Sequence, residues 1–284
     1  MTVQADKSAQ IWVIAPGEDE SRARQITSGK YDGDSLTWTP DGRILYAAVG
    51  EQSDIWIVNT QGTENKQLTA DAYTEGLGCV SPDGRHLFFS SNHSGNFNLW
   101  RMELSGNNLK QLTEGAAIDS LPICSPDGQW VLFRSLRQGK PTFWKVPSAG
   151  GMQERLTDKS SSRAAVSPDG KLIALRYFDE QANANKIVVM SFTGGEPIKT
   201  FDVSFTFRDV GLGWTSDSRS IIYADSRDNA DNIWSLSIDD GPANQLTNFK
   251  TGLIFAFEMS RDGKQIALSR GSQTDDVILL RDSQ

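Results

Sequence analysis

Val80-Ser81-Pro82-Asp83-Gly84-Arg85-His86-Leu87-Phe88-Phe89 is the stretch that decides the fold. Pro82 presets φ at the second position of a tight turn. Asp83 can hydrogen-bond backbone two residues on, and Gly84 accepts a positive φ. His86-Leu87-Phe88-Phe89 then reads as a short run of strand formers. The phrase recurs as Trp38-Thr39-Pro40-Asp41-Gly42-Arg43, Cys124-Ser125-Pro126-Asp127-Gly128-Gln129 and Val166-Ser167-Pro168-Asp169-Gly170-Lys171. Two copies are degraded: Trp214-Thr215-Ser216-Asp217-Ser218-Arg219 and Met259-Ser260-Arg261-Asp262-Gly263-Lys264. The aspartates stand at 41, 83, 127, 169, 217 and 262, a period of about 44 residues.

Two more columns keep the same register. One is an apolar-aromatic pair: Ile11-Trp12, Ile55-Trp56, Leu99-Trp100, Phe143-Trp144, Ile187-Val188, Ile233-Trp234 and Val277-Ile278. The other reads Gln25-Ile26-Thr27, Gln67-Leu68-Thr69, Gln111-Leu112-Thr113, Arg155-Leu156-Thr157 and Gln245-Leu246-Thr247, with Lys199-Thr200-Phe201 in the fourth repeat. No stretch carries a ten-residue helical period. Each unit therefore supplies four short strands, and radial repetition of such a unit makes a β-propeller. The expected fold is all-β, a single domain over 1–284, with six four-stranded antiparallel blades. The repeats fall near 33–75, 76–118, 119–160, 161–208, 209–252 and 253–284, the last completed by 10–28. The eight tryptophans fall in repeat positions and read as packing between blades.

The Ser-Pro-Asp-Gly turn, with its Ile-Trp and Gln-Leu-Thr columns, resembles the TolB-type propeller repeat, a relative of the WD repeat. The likeness covers almost the whole chain. It implies a bacterial extracytoplasmic or periplasmic setting. More loosely, the array is similar to the C-terminal sensor-like region of certain bacterial membrane-anchored Ser/Thr kinases, although no kinase motif is present here.

Strand counting raises a question of closure. The reading gives twenty-five strands, and six blades need twenty-four. Pairing Gln25-Ile26-Thr27 with three C-terminal strands (Phe255–Met259, Gln265–Ser269 and Val277–Leu280) would hide exposed sheet edges. Gln10–Ile14 and Asp276–Leu280 then compete for one position. Either Gln10–Ile14 is an extra edge strand, or the chain was cut from a longer array. A seven-bladed ring is the rival count.

Composition excludes several functions. Lys plus Arg is 28 against 36 for Asp plus Glu, a net charge of −8 that lacks the basic footprint of a nucleic-acid binder. No apolar run approaches the ~18 residues of a membrane span. Met1–Lys7 has no basic n-region followed by an apolar h-region, so no signal peptide is expected in this stretch; a trimmed chain would look the same. Cys79 and Cys124 make neither a disulfide framework nor a zinc site, and read as buried, inert thiols. There is no Gly-x-Ser-x-Gly elbow. His86 and His93 stand at opposite ends of one strand, roughly 20 Å apart, and read as single exposed histidines. The turn aspartates lie in separate blades, too far apart to chelate together. An enzyme is not expected, the rival being a hydrolase or lyase propeller.

The loops entering the innermost strands converge on one mouth of the central channel. They supply the candidate site: Tyr31, Asp32, Asp34, Tyr73, Glu75, Asp119, Arg163, Phe207, Arg208, Asp209 and Phe255. A ring of acids focuses field and attracts cations or basic segments, and aromatic residues anchor interfaces. The expected function is a non-enzymatic scaffold or sensor holding a protein or peptide partner, as a monomeric ring or as part of a longer chain. The alternative is a small-ligand or Ca²⁺ site, with Asp34, Glu75, Asp119 and Asp209 as candidate oxygen donors. No other cofactor is implied.

Overall fold

The computed structural model describes residues 2–28, 32–49, 53–70, 73–203, 210–227 and 230–278, with backbone alone for 2–8, 32–34, 49 and 273–278. Within these, six four-stranded antiparallel sheets form a ring. Blade 1 is β3 (Asp32–Trp38), β4 (Ile44–Val49), β5 (Ser53–Val58) and β6 (Asn65–Gln67). Blade 2 is β7 (Glu75–Val80), β8 (His86–Ser91), β9 (Asn98–Glu103) and β10 (Lys110–Gln111). Blade 3 is β11 (Asp119–Cys124), β12 (Trp130–Ser135), β13 (Thr142–Pro147) and β14 (Glu154–Arg155). Blade 4 is β15 (Ser161–Val166), β16 (Leu172–Asp179), β17 (Ala184–Ser191) and β18 (Lys199–Asp202). Blade 5 is β19 (Leu212–Trp214), β20 (Ser220–Arg227), β21 (Ala230–Ser237) and β22 (Asn244–Gln245).

Blade 6 corrects the expected closure. It runs β23 (Leu253–Met259), β24 (Ile266–Ile278), β1 (Thr2–Ile14), β2 (Arg24–Gln25). Each end of the chain contributes two strands. The Trp12 segment takes the third position, pairing Trp12 with Leu268 on one side and Gln25 on the other. Val277-Ile278 does not form a separate strand; it prolongs β24 opposite Thr2 and Val3. The remainder of the expected strand, Leu279-Leu280, lies outside the described residues. The count resolves to six blades.

The repeat columns have physical reasons. In each Pro-Asp-Gly turn the Ser or Thr hydroxyl bonds the Asp carboxylate and also accepts a backbone N–H further on: Ser81 Oγ donates to Asp83 Oδ1 at 2.5 Å and accepts from His86 N at 2.9 Å. These hydroxyls lead the causes that hold the carboxyls of Asp83, Asp169, Asp217 and Asp262 below the usual carboxylate range. Gly84 sits at φ +74°, where an L side chain is strained; Ser218 occupies the same conformation at φ +61° in the degraded fifth copy. The Thr of the Gln-Leu-Thr column clamps the Trp strand. Its hydroxyl accepts from Ile11, Ile55, Leu99 and Ile233 N at 2.9–3.0 Å, through Thr27, Thr69, Thr113 and Thr247. Blade 4 lacks the column, and its register is one residue later than expected: Val188 pairs with Thr200, so Thr200-Phe201-Asp202 take the Gln-Leu-Thr positions.

Between neighbouring blades lies one hydrophobic cluster per junction. All eight tryptophans take part in them, as the repeat register implies. At junction 1/2, for example, Leu45, Ile55 and Ile57 pack on Leu77, Leu87 and Phe89. Burial of this kind, at about 25 cal/mol per Å² of apolar surface, is the main term holding a ring of small sheets together.

Candidate functional site

Strand alternation sorts the loops onto two faces. The Pro-Asp-Gly turns and the third-to-fourth strand loops share one face. The loops entering the first strands and the second-to-third strand loops share the other, the mouth face. Toward the mouth, the innermost strands of blades 1, 2, 3, 4 and 6 carry register shifts: Gly33/Leu36, Gly76/Cys79, Ser120/Ile123, Ser161/Arg163 and Ile254/Ala256. Such bulges bend a strand and re-aim its side chains.

Of the five acids proposed for the mouth, the structure describes the side chains of two, Glu75 and Asp119, and both are buried. Glu75 and Asp119 open β7 and β11 and are 4% and 1% exposed. Asp119 Oδ2 accepts from Arg137 Nη2 at 2.6 Å, within its own blade. The Arg137 guanidinium also lies 5.1 Å from the Trp144 ring centroid. Tyr73 is half-buried and its ring centroid is 4.1 Å from that of His93, which in turn meets the edge of Trp100 at 4.9 Å. His93 is thus half-buried between aromatic rings rather than exposed, and His86 is half-buried as well. Arg163 lines the channel, and Phe255 is half-buried in β23. Asp32 and Asp34 lie in β3, described by backbone only. Tyr31, Phe207, Arg208 and Asp209 lie outside the described residues. Among the described residues no three His, Cys, Asp or Glu side chains converge as a metal site. Ile118 and Phe178, which the sequence did not single out, are exposed apolar groups on the mouth face, at 43% and 45%.

The channel itself is more informative than the sequence suggested. A cavity of about 550 Å³ is bounded by the innermost strands and reaches the Pro-Asp-Gly face, where Pro82, Pro126 and Pro168 line it. Its walls contain a disulfide. Cys79 and Cys124 are bonded, with Cα atoms 5.7 Å apart, joining blade 2 to blade 3. This overturns the reading of two inert thiols. The signal lay in the register: Cys124 immediately precedes its turn, and Cys79 stands one place earlier in the preceding repeat. The same pair of positions is bonded at two other junctions. Trp38 Nε1 donates to the carbonyl of Glu258 at 3.0 Å, and Trp214 Nε1 to that of Ala165 at 3.1 Å. Ties therefore occur at every second junction: 6/1, 2/3 and 4/5.

At junction 6/1 the Glu258 carboxylate adds a second bond, Oε2 accepting from Trp38 N at 2.8 Å. Its side chain lines the channel between apolar walls. Desolvation there pushes its carboxyl up to about 7, against the opposing pull of Thr37, Trp38 and the Arg261 charge.

With this geometry in place, comparison with known proteins is direct. A model described as "TolB beta propeller domain" matches residues 48–206, more than half of the chain. The chain belongs to the TolB β-propeller domain family. Among solved structures, TolB from Acinetobacter baumannii is similar with a TM-score of 0.68 and 20% identity, over 94% of this chain and 64% of that one. This TolB-family chain thus spans less than two thirds of that relative. A chain of the nidogen/laminin complex is similar at TM-score 0.63 and 9% identity, covering 85% of this chain and 94% of that one. Kuenenia stuttgartiensis hydrazine synthase follows at 0.61 and 14%, covering 84% and 74%. At such identities these likenesses carry the fold alone. Comparison with curated proteins finds no match.

Proposed function

We propose that this TolB-family propeller is a non-enzymatic interaction module that holds a protein or peptide partner on its mouth face. The observation that carries this reading is the contrast between the faces. The Pro-Asp-Gly turns repeat one another almost residue for residue around the channel. The mouth loops differ from blade to blade and present Tyr73, Ile118 and Phe178 among charged neighbours such as Arg137. Varied loops on a rigid scaffold are the common arrangement for recognition, and exposed apolar groups among polar ones mark interface cores. Asp119 of the mouth is engaged by Arg137 within its own blade, so the partner is read more by shape and apolar contact than by an acidic ring. The inter-blade disulfide favours an oxidising, extracytoplasmic setting.

The test is capture of partners from the native cells with the immobilised propeller, beside two double variants. Ile118→Asp with Phe178→Asp alters the mouth. Met152→Asp with Ile198→Asp alters exposed apolar groups on the third-to-fourth strand loops of the opposite face. A partner held by the wild type and by the second variant, but lost by the first, is the expected result. A partner lost only by the second variant moves the site to the other face. No partner at all overturns the reading.

A further inference from the structure

We infer that the central channel is a binding site for an uncharged, apolar small molecule that enters from the Pro-Asp-Gly face. Among the described residues three charged side chains line the cavity: Arg163, Glu258 and Arg261. Each is already engaged. The Glu258 carboxylate accepts from Trp38 N at 2.8 Å and from Thr37. Arg261 stands where four sister turns carry Pro and the fifth carries Ser. Its Nη1 donates to the carbonyl of Pro82, two blades away, at 3.1 Å, and its charge acts on Glu258 in the same wall. Arg163 has an interaction of its own. The indole N–H groups of Trp38 and Trp214 are taken by carbonyls across their junctions, and the two cysteines by each other. An ionic guest would therefore leave water for a bore with no counter-charge to spare, at a far greater cost than an apolar one.

What the bore offers instead is apolar surface. Leu36, Leu77, Leu121, Leu212 and Met259 line it, from blades 1, 2, 3, 5 and 6. The volume, about 550 Å³, lies in the range of small-molecule sites. The ties at junctions 6/1, 2/3 and 4/5 hold the walls in place, so the site is formed before any guest arrives.

Leu121 points the same way. It lies within the register shift of β11, at φ +54°, and directly precedes Pro122. Left-handed backbone strains a leucine, and a proline pushes the residue before it towards extended backbone. Glycine would take this φ freely. Leu77 holds the equivalent place in blade 2 and needs no positive φ. Two different backbones thus bring a leucine to the same level of the bore, one of them under strain. Strain kept at a residue that lines a cavity is the pattern of a ligand clamp.

The experiment titrates the full chain with N-phenylnaphthylamine, an uncharged apolar dye whose emission rises when it leaves water. Emission should saturate at a single dye per ring. Octanol should displace the dye, whereas octanoate and octylamine, both ionised at pH 7, should displace it at least about tenfold more weakly. Leu121→Asn puts an amide into the wall with a residue type that accepts a positive φ. It should keep the melting temperature and weaken the dye about tenfold. If that variant does not fold, Leu212→Thr, a strand former within β19, carries the same expectation. Ile198→Asn, at an exposed residue of the outer rim, should leave binding unchanged. No saturable response, equal displacement by octanol and by either ion, unchanged binding in the folded wall variant, or an equal loss in Ile198→Asn would each overturn the inference.

Discussion

Junctions 2/3 and 6/1 tie equivalent positions by opposite means. At 2/3 the tie is covalent, between Cys79 and Cys124. At 6/1 it is a set of hydrogen bonds, the Trp38 indole on the Glu258 carbonyl and the Trp38 amide on the Glu258 carboxylate. The first depends on redox state and is indifferent to mild changes of pH. The second is indifferent to redox state and carries a titratable group. Junction 4/5, with Trp214 on Ala165 alone, is the simple hydrogen-bonded version of the same slot. One location in a repeat thus accepts three chemistries, because it needs only a short bridge between adjacent innermost strands.

The comparison breaks most sharply at the disulfide. Cys79→Ser with Cys124→Ser releases a closure spanning 45 residues, a loss of about 4 kcal/mol on the chain-entropy account. The expected drop in melting temperature is about 10 °C, and a reducing agent should lower the wild type similarly while leaving the double variant unmoved. A reductant-insensitive wild-type melting curve would contradict a tie at 2/3.

Glu258 sharpens the contrast through pH. Its carboxyl is raised in the folded state from an ordinary value of 4.5 to about 7. For an acid shifted upward, the folded state holds its proton more tightly than the unfolded chain. The stabilisation is therefore full below pH 4.5, declines as pH climbs towards 7, and is absent above. Glu258→Gln keeps an acceptor for the Trp38 amide and removes the titration. The variant should gain stability on the order of 2 kcal/mol at pH 8 relative to wild type, and its difference from wild type should shrink on going to pH 5. Thermal melts of both proteins across this range are the check; a constant difference would remove Glu258 from the account.

The smallest expected effect is at junction 4/5. Trp214→Phe keeps most of the apolar contact and removes one donor from the Ala165 carbonyl, for about 1–2 kcal/mol by chemical denaturation. The loss should appear under reducing and oxidising conditions alike, and at pH 5 as at pH 8.

The ring was legible in the sequence because its columns are each imposed by a local need: a turn hydroxyl for its Asp, a Thr hydroxyl for the Trp strand, a positive φ for Gly84. The closure was harder. Gln10–Ile14 and Val277-Ile278 share the same apolar character, and composition does not rank them. Topology does, since Trp12 pairs with Gln25 in the outer strand, as Trp56 does with Gln67, while Val277-Ile278 continues β24 opposite Val3 and Thr2. The mouth was legible only as a place. Asp119 reads as a loop residue until the strand is seen to begin at it, with Arg137 returning from the next turn to neutralise it. The disulfide and the odd residue Arg261 both stood in the repeat register, visible only when positions are compared across blades rather than along the chain.

Blade 6, built from both ends of the chain, sets a timetable. Trp12 pairs with Leu268, a partner 256 positions later. At about 5–20 residues per second of synthesis, the Trp12 strand waits roughly 10–50 s for its neighbour to leave the ribosome. Five blades can assemble meanwhile from contiguous sequence, but the edge of β1 that faces β24 is without its partner for that interval. A helper that shields this segment would act on the youngest molecules alone, and its absence would show as aggregation of nascent chains with no change in the mature ring.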